Sequence, residues 1–185
     1  MLRTQPLSIP GLLMLWPDAI MDGLGWQSVI YRDSVMAAAG IHDRFVQDSI
    51  IYMDKPGGLR GLSYQLPPAA QALLLRVLRG RAMVAVVDIR RSSPSFGRAV
   101  TANLTYMGGE QLYIMPGFAW GWCSGAASTE LLIKASAPDN PDLQRGINAR
   151  DPALNISWPF PPAELNLAPG DIDQPRLAEQ PDRFD

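Results

Sequence analysis

The 185-residue chain has a single histidine, His42, and a single cysteine, Cys123. That scarcity excludes several chemistries at once. One thiol cannot close an internal disulfide, so the expected setting is a reducing cytoplasm. One His and one Cys cannot assemble a zinc or iron ligand set, so neither metal nor cofactor is expected. His42 follows Gly40, past a predicted helix end, where a solvated or carbonyl-bound imidazole is the ordinary outcome. Cys123 reads as a small buried hydrophobe rather than a nucleophile. No Gly-rich phosphate loop and no Gly-x-Ser-x-Gly elbow occurs. Long apolar runs are missing too: no segment reaches the roughly 20 residues needed to span a bilayer, so no membrane association is expected. The opening "MLRTQPLSIPGLLMLW", broken by Pro10, lacks the charged start, long apolar centre and cleavage site of a signal peptide. The net charge is −2 without a dense basic run, so nucleic acid is not an expected partner.

What is present describes one globular domain over residues 1–185, with 47% hydrophobic and 18% charged residues. From residue 43 onward the pattern is short and strand-like. "LLLRVLRG", "AMVAVVDIR" and "QLYIMPGFAWGW" are rich in aliphatic and aromatic residues, and "DKPGG", "SSPS" and "MGGE" punctuate them. Only "DSVMAAAG", 33–40, predicts a helix, with Asp33 or Ser34 as cap and Gly40 as stop. The tail after "ISWPFPPAE" is rich in Pro, Asp and Gln and is expected to wrap the surface. There is no internal repeat and no linker. The expected class is all-β, a sandwich or barrel.

The segments "FVQDS", "LRGLSYQLPPAAQ", "VDIRRSSPSFG", "QLYIMPGFAWG", "RGINARDPALNISWP" and "GDIDQPRL" resemble the dTDP-4-dehydrorhamnose 3,5-epimerase family, in order, over roughly residues 5 to 178. The resemblance implies a cupin-type jelly-roll β-sandwich with one short N-terminal helix and an irregular tail. It also implies a homodimer in which N-terminal strands cross to the partner's sheet.

The family's catalytic side chains are replaced. Ser63 stands where the family has its histidine base, in "LRGLS". Leu73 takes the place of the enolate-stabilising lysine, and Ile133 that of the acid tyrosine. Trp120 replaces the histidine of the family's "GFAHG". Asp171, which would orient the missing histidine, remains. Among the nucleotide-sugar contacts, Leu24, Val29, Ser49 and Gly170 replace an arginine, a glutamate, an asparagine and a lysine, while Gln47 and Arg60 remain. Trp26 replaces a phenylalanine, with core packing and pocket wall both open as its role.

The replacements at Leu24, Val29, Leu73, Trp120 and Ile133 are all apolar. Strand alternation then identifies neighbours on each wall. Ser63 shares one with Gln65; Gln47, Ser49, Ile51 and Met53 share another; Leu73 shares a third with Leu75. Met115 is placed with these. The expectation is an oily cavity with polar points at Gln47, Ser49, Arg60, Ser63 and Gln65. A competing expectation is that the apolar residues fill the sandwich and leave no site. Arg60 either contacts a ligand or pairs with Asp171 or another acid.

An apolar pocket without base, nucleophile or metal can accelerate a reaction that needs no proton transfer. Pericyclic ring closure is one: its cost is largely the ordering of a flexible chain, and holding a reactive shape removes on the order of 7 to 11 kcal/mol at best. Trp120, Ser63 and Arg60 are the expected catalytic contributors, the latter two through hydrogen bonds to substrate oxygen. The chain is similar to a small group of epimerase-derived bacterial polyketide cyclases that perform [6+4] and [4+2] cycloadditions. The implied substrate is a hydrophobic polyene macrolactone. The alternative is a catalytically inactive, epimerase-like sugar- or ligand-binding protein. A residual epimerase using Ser63 or Tyr64 ranks last: Tyr64 is expected on the opposite face of its strand, and an unassisted serine is a weak base.

Overall fold

The computed structural model describes residues 2–184. Its strands, in chain order, are β1 (Arg3–Pro6), β2 (Leu12–Trp16), β3 (Ala19–Met21), β4 (Trp26–Ser28), β5 (Gln47–Met53), β6 (Gly58–Gln65) and β7 (Leu73–Arg79). There follow β8 (Arg81–Asp88), β9 (Ala99–Thr105), β10 (Gln111–Ile114), β11 (Phe118–Ser124), β12 (Thr129–Ala135), β13 (Gln144–Gly146) and β14 (Asn166–Leu167). Two sheets face each other as a β-sandwich. One runs β1-β2-β10-β7-β12-β5; the other runs β13-β6-β11-β8-β9, with β14 beside β6. The expected all-β sandwich is therefore present. Strands β1 to β4 lie ahead of residue 43, where the sequence pattern was not read as strand.

Burial follows from what covers each face. β5 is an edge strand, and its half-buried residues alternate with exposed ones such as Ile50 and Tyr52. β8 is buried on both faces beyond Arg81. Val84 and Val86 point between the sheets, while Ala85 and Val87 face outward under a second apolar cluster. The tail supplies that cover through Leu154, Leu165, Leu177 and Phe184, so it wraps the outer face as expected. Cys123 is fully buried in this cluster, and burial pushes its thiol up to about 11. Gly80 turns β7 into β8 at φ +76, and a Cβ there would sit 2.6 Å from Thr129 Oγ1.

The single α-helix among the described residues, α1 (Asp33–Ala38), has Arg32 at its N-cap with no capping side chain. Asp33 lies in its first turn, where a carboxylate favours the helix dipole. The cap was expected at Asp33 or Ser34, and the observed one lies one or two residues before them. Gly40 adopts φ +85 beyond the C-terminal end, the expected stop. His42 is exposed. Among the described residues, no helix is long and apolar enough to cross a membrane.

Candidate functional site

A cavity of about 480 Å³ opens between the sheets at their β5–β6 end. That volume suits a small organic ligand. Gln47, Ser49 and Ile51 of β5 form one wall, and Leu73, Ile133 and Ala135 of β7 and β12 continue it. Cross-strand register explains this: Ile133 pairs with Ser49, and Ala135 pairs with both Gln47 and Leu73. The opposite wall carries Arg60, Ser63 and Gln65 of β6 with Trp120 and Trp122 of β11. Asp171, from the tail, completes the rim.

Arg60 reaches the cavity through an irregular register. Plain alternation would put it on the face of Leu62 and Tyr64, which pack outward under the tail. Instead Trp120 pairs with Ser63 while Trp122 pairs with Arg60, so two residues of β6 oppose the single Gly121. A bulge of this kind re-aims side chains. Gly61 makes it possible at φ +93, where a Cβ would lie 2.5 Å from the Trp120 carbonyl oxygen. Arg60 is exposed and forms no ion pair among the described residues. Asp171 instead accepts the Gly61 backbone N–H at 2.8 Å, so the possible Arg60–Asp171 pair is not formed. Ser63 is half-buried and its hydroxyl bonds to no described residue.

One end of the cavity is more polar than expected. Gln47 donates to Ser49 Oγ at 3.1 Å and to Asp139 at 2.8 Å, and accepts the Asp139 backbone N–H. Gln71 donates to the Ala137 carbonyl and to Asp139. Gln65 donates to the Ala69 and Pro138 carbonyls and accepts from the Asn140 N–H. These glutamines therefore hold the 137–141 loop across the opening. Gln47 and Gln65 are committed to that loop rather than being free anchors. Gln71, Asp139, Pro141 and Gln144 also line the cavity and were missed in the sequence. Gln71 had a findable signal, two positions before Leu73. Asp139 and Pro141 lie on a loop without strand periodicity, and Gln144 opens the three-residue strand β13.

Six expected lining residues fall elsewhere. Leu24, Trp26 and Val29 are exposed, Leu24 completely, on or beside the β3–β4 arm. Trp26 meets Tyr106, with ring centroids 6.2 Å apart. Leu75 has the expected facing but lies fully buried beneath the cavity wall. Met53, at the far end of β5, packs against the core. Met115, in the β10–β11 turn, packs against that core beside Gly11 and the Arg90 guanidinium. Alternation gives a side chain's face, not its depth. Conversely, Trp122 follows Trp120 on the same face and was not chosen.

The cavity's titratable groups are few. Among the described residues lining it they are Arg60, Tyr64, Asp139 and Asp171. Tyr64 points away: its hydroxyl donates to the Asp182 carbonyl, and its ring packs by Phe184. Burial, helped by the Asp182 carboxylate, pushes its phenol up to about 12, so it keeps its proton at neutral pH. Among the described residues, no group of three His, Cys, Asp or Glu side chains could hold a metal ion. The walls can position an apolar molecule and offer hydrogen bonds from Arg60 and Ser63.

Comparisons with known proteins agree with this architecture. The family model for dTDP-4-dehydrorhamnose 3,5-epimerase matches residues 6–179. Two epimerases of that name are similar in sequence. The one from Sinorhizobium fredii is 34% identical over 97% of this chain and 92% of its own length. That from Shigella flexneri is 38% identical over 82% and 83%. The crystal structure of the Legionella pneumophila epimerase with dTDP-4-keto-L-rhamnose superposes with a TM-score of 0.91 at 30% identity, covering 97% of this chain and 94% of that one. A 4-keto-6-deoxy sugar epimerase from the novobiocin gene cluster of Streptomyces spheroides gives 0.90 at 28% identity, covering 97% and 89%.

Proposed function

The chain belongs to the dTDP-4-dehydrorhamnose 3,5-epimerase family, and we propose that it uses this fold as a cofactor-independent cyclase. Its reaction is a pericyclic closure, [6+4] or [4+2], of a hydrophobic polyene macrolactone. The observation that carries this reading is a pair of side chains lying side by side on one cavity wall: Trp120 pairs across the strands with Ser63. Epimerisation next to a ketone needs a proton acceptor and a proton donor on opposite faces of the sugar. The Ser63 hydroxyl is hydrogen-bonded to no base among the described residues, the Asp171 carboxylate being engaged by the Gly61 N–H, and Tyr64 is turned outward. Leu73 and Ile133 offer no charge for an enolate. An indole and aliphatic walls instead select a folded apolar chain, which is what a closure governed by shape requires.

A second reading has its own support. Gln47, Arg60 and Asp171 line the cavity, and the named relatives are sugar epimerases. The chain then acts as a sugar- or ligand-binding protein without turnover. Calorimetry with dTDP-rhamnose and with a polyene macrolactone separates the two. The cyclase reading expects binding of the macrolactone alone; micromolar binding of the nucleotide sugar overturns it. In a turnover assay, Trp120→Ala is expected to lower the rate roughly tenfold or more, about 1.4 kcal/mol of barrier, and to alter the product ratio. Ser63→Ala should cost one hydrogen bond, at most about tenfold.

The same reading includes a homodimer. The exposed apolar residues Ile20, Met21, Leu24, Trp26 and Val29 cluster on or beside the β3–β4 arm. Leu24 and Val29 occupy positions that the family resemblance assigns to ligand contact, yet they lie outside this chain's own cavity. An arm that crosses to a second copy accounts for both facts.

A further inference from the structure

The chain has five tryptophans. The indole N–H of Trp158 donates to the Ala149 carbonyl at 2.8 Å. Trp122 differs. It is fully shielded, and its Nε1 has no acceptor among the described residues. The other orphaned buried side-chain atom of the described residues, Gln111 Oε1, belongs to an amide already anchored on the Ile30 carbonyl. Leaving a buried donor unpaired is costly, and a phenylalanine at 122 would fill the wall without that cost. Trp122 also borders the cavity. It stands on β11 in register with Val84 on one side and Arg60 on the other, sharing the inward face with Trp120.

We propose that the Trp122 indole N–H is a specificity-determining donor, paired in the occupied site with a carbonyl, ester or ether oxygen of an otherwise apolar ligand. The inference rests on reading the cavity as a ligand site and adds the polar group that the ligand must carry. The nitrogen has no solvent access. The acceptor therefore arrives with the ligand, as side chains of the cavity wall give way. In such dry surroundings one neutral hydrogen bond discriminates well, because a ligand without an acceptor leaves the donor unpaired.

The test uses two probes of similar ring size, the macrolactone 12-dodecanolide and the hydrocarbon cyclododecane. Protein labelled with ¹⁵N in its indoles gives one N–H signal per tryptophan, and Trp122→Phe assigns the one in question. If that variant fails to fold, the signal is assigned by replacing the other four tryptophans in turn. The lactone is expected to move the Trp122 signal downfield, and the hydrocarbon to bind without that shift. Trp122→Phe should weaken lactone binding roughly two- to tenfold more than hydrocarbon binding, a difference that cancels the change in cavity volume. Lactone binding with the Trp122 signal unmoved, as a permanently bound water would produce, overturns the inference and leaves the cavity reading intact. So does equal weakening of both probes. Absence of any cavity shift with either probe overturns the cavity reading and the inference with it.

Discussion

The space between the two sheets is solid at one end and hollow at the other. At the solid end, β2 and β10 lay Leu12 against Ile114 and Met14 against Leu112, and Val84, Val86 and Leu104 of the opposite sheet join the same cluster. At the hollow end the same rows continue. The row through Ile114 and Leu73 reaches Ala135 and then Gln47; the row through Leu112 and Leu75 reaches Ile133 and then Ser49. Each row begins with large aliphatic side chains and finishes on a small or polar one. The cavity is thus written into the strands as a gradient of side-chain size and polarity.

Two truncations contrast the ends most sharply. Leu112 is fully buried, so Leu112→Ala is expected to cost about 2–5 kcal/mol in denaturant unfolding. Ile51 is half-buried on the cavity wall, and Ile51→Ala should cost under about 1.5 kcal/mol while loosening ligand binding. Equal stability losses would erase the distinction.

Acid should attack the solid end. Asp88 is fully buried beside Phe118 and receives hydrogen bonds from Arg90, Ser93 and Ser95. Burial opposes its charge, but those donors prevail and hold the carboxyl well below the usual carboxylate range. A depressed carboxylate stabilises the fold above its unfolded pKa near 4, and the contribution fades as pH falls further. Thermal stability should therefore decline more steeply below about pH 4 in the native chain than in Asp88→Asn. Identical acid limbs would remove Asp88 from the account.

The smallest effect should come from filling the hollow end. Ser49 faces the cavity and pairs with Ile133. Ser49→Leu should raise stability by about 0.5–2 kcal/mol and abolish ligand binding. A destabilised variant would mean that Ser49 serves the fold through its bond with Gln47.

The two ends also differ in how far sequence revealed them. The family resemblance located Gln47, Ser49, Leu73, Ser63 and Ile133, and strand alternation added Ile51 beside Gln47 and Ser49, because a period of two is a local property. Alternation could not rank depth, so Leu75 and Met53 were placed in the cavity and belong to the packing around it. It gave no sign of the 137–141 loop, whose Asp139 meets Gln47 across 92 residues of chain. Arg60 was found by resemblance alone, since the bulge at Gly61 breaks the alternation that would have excluded it. Trp122 was legible, two residues beyond Trp120, but its meaning depends on the unpaired nitrogen, which only the packed structure reveals.

The proposal that the hollow end closes rings by shape without moving protons is tested most directly by turnover in deuterated water. The chain is incubated in D₂O with a polyene macrolactone, and separately with a dTDP-4-keto-6-deoxy sugar, and the products are separated from substrate by chromatography and weighed by mass spectrometry. The account predicts a cycloadduct of unchanged mass, with no deuterium gained by the sugar. Deuterium at the sugar's C3 or C5, with the macrolactone left unchanged, would contradict it.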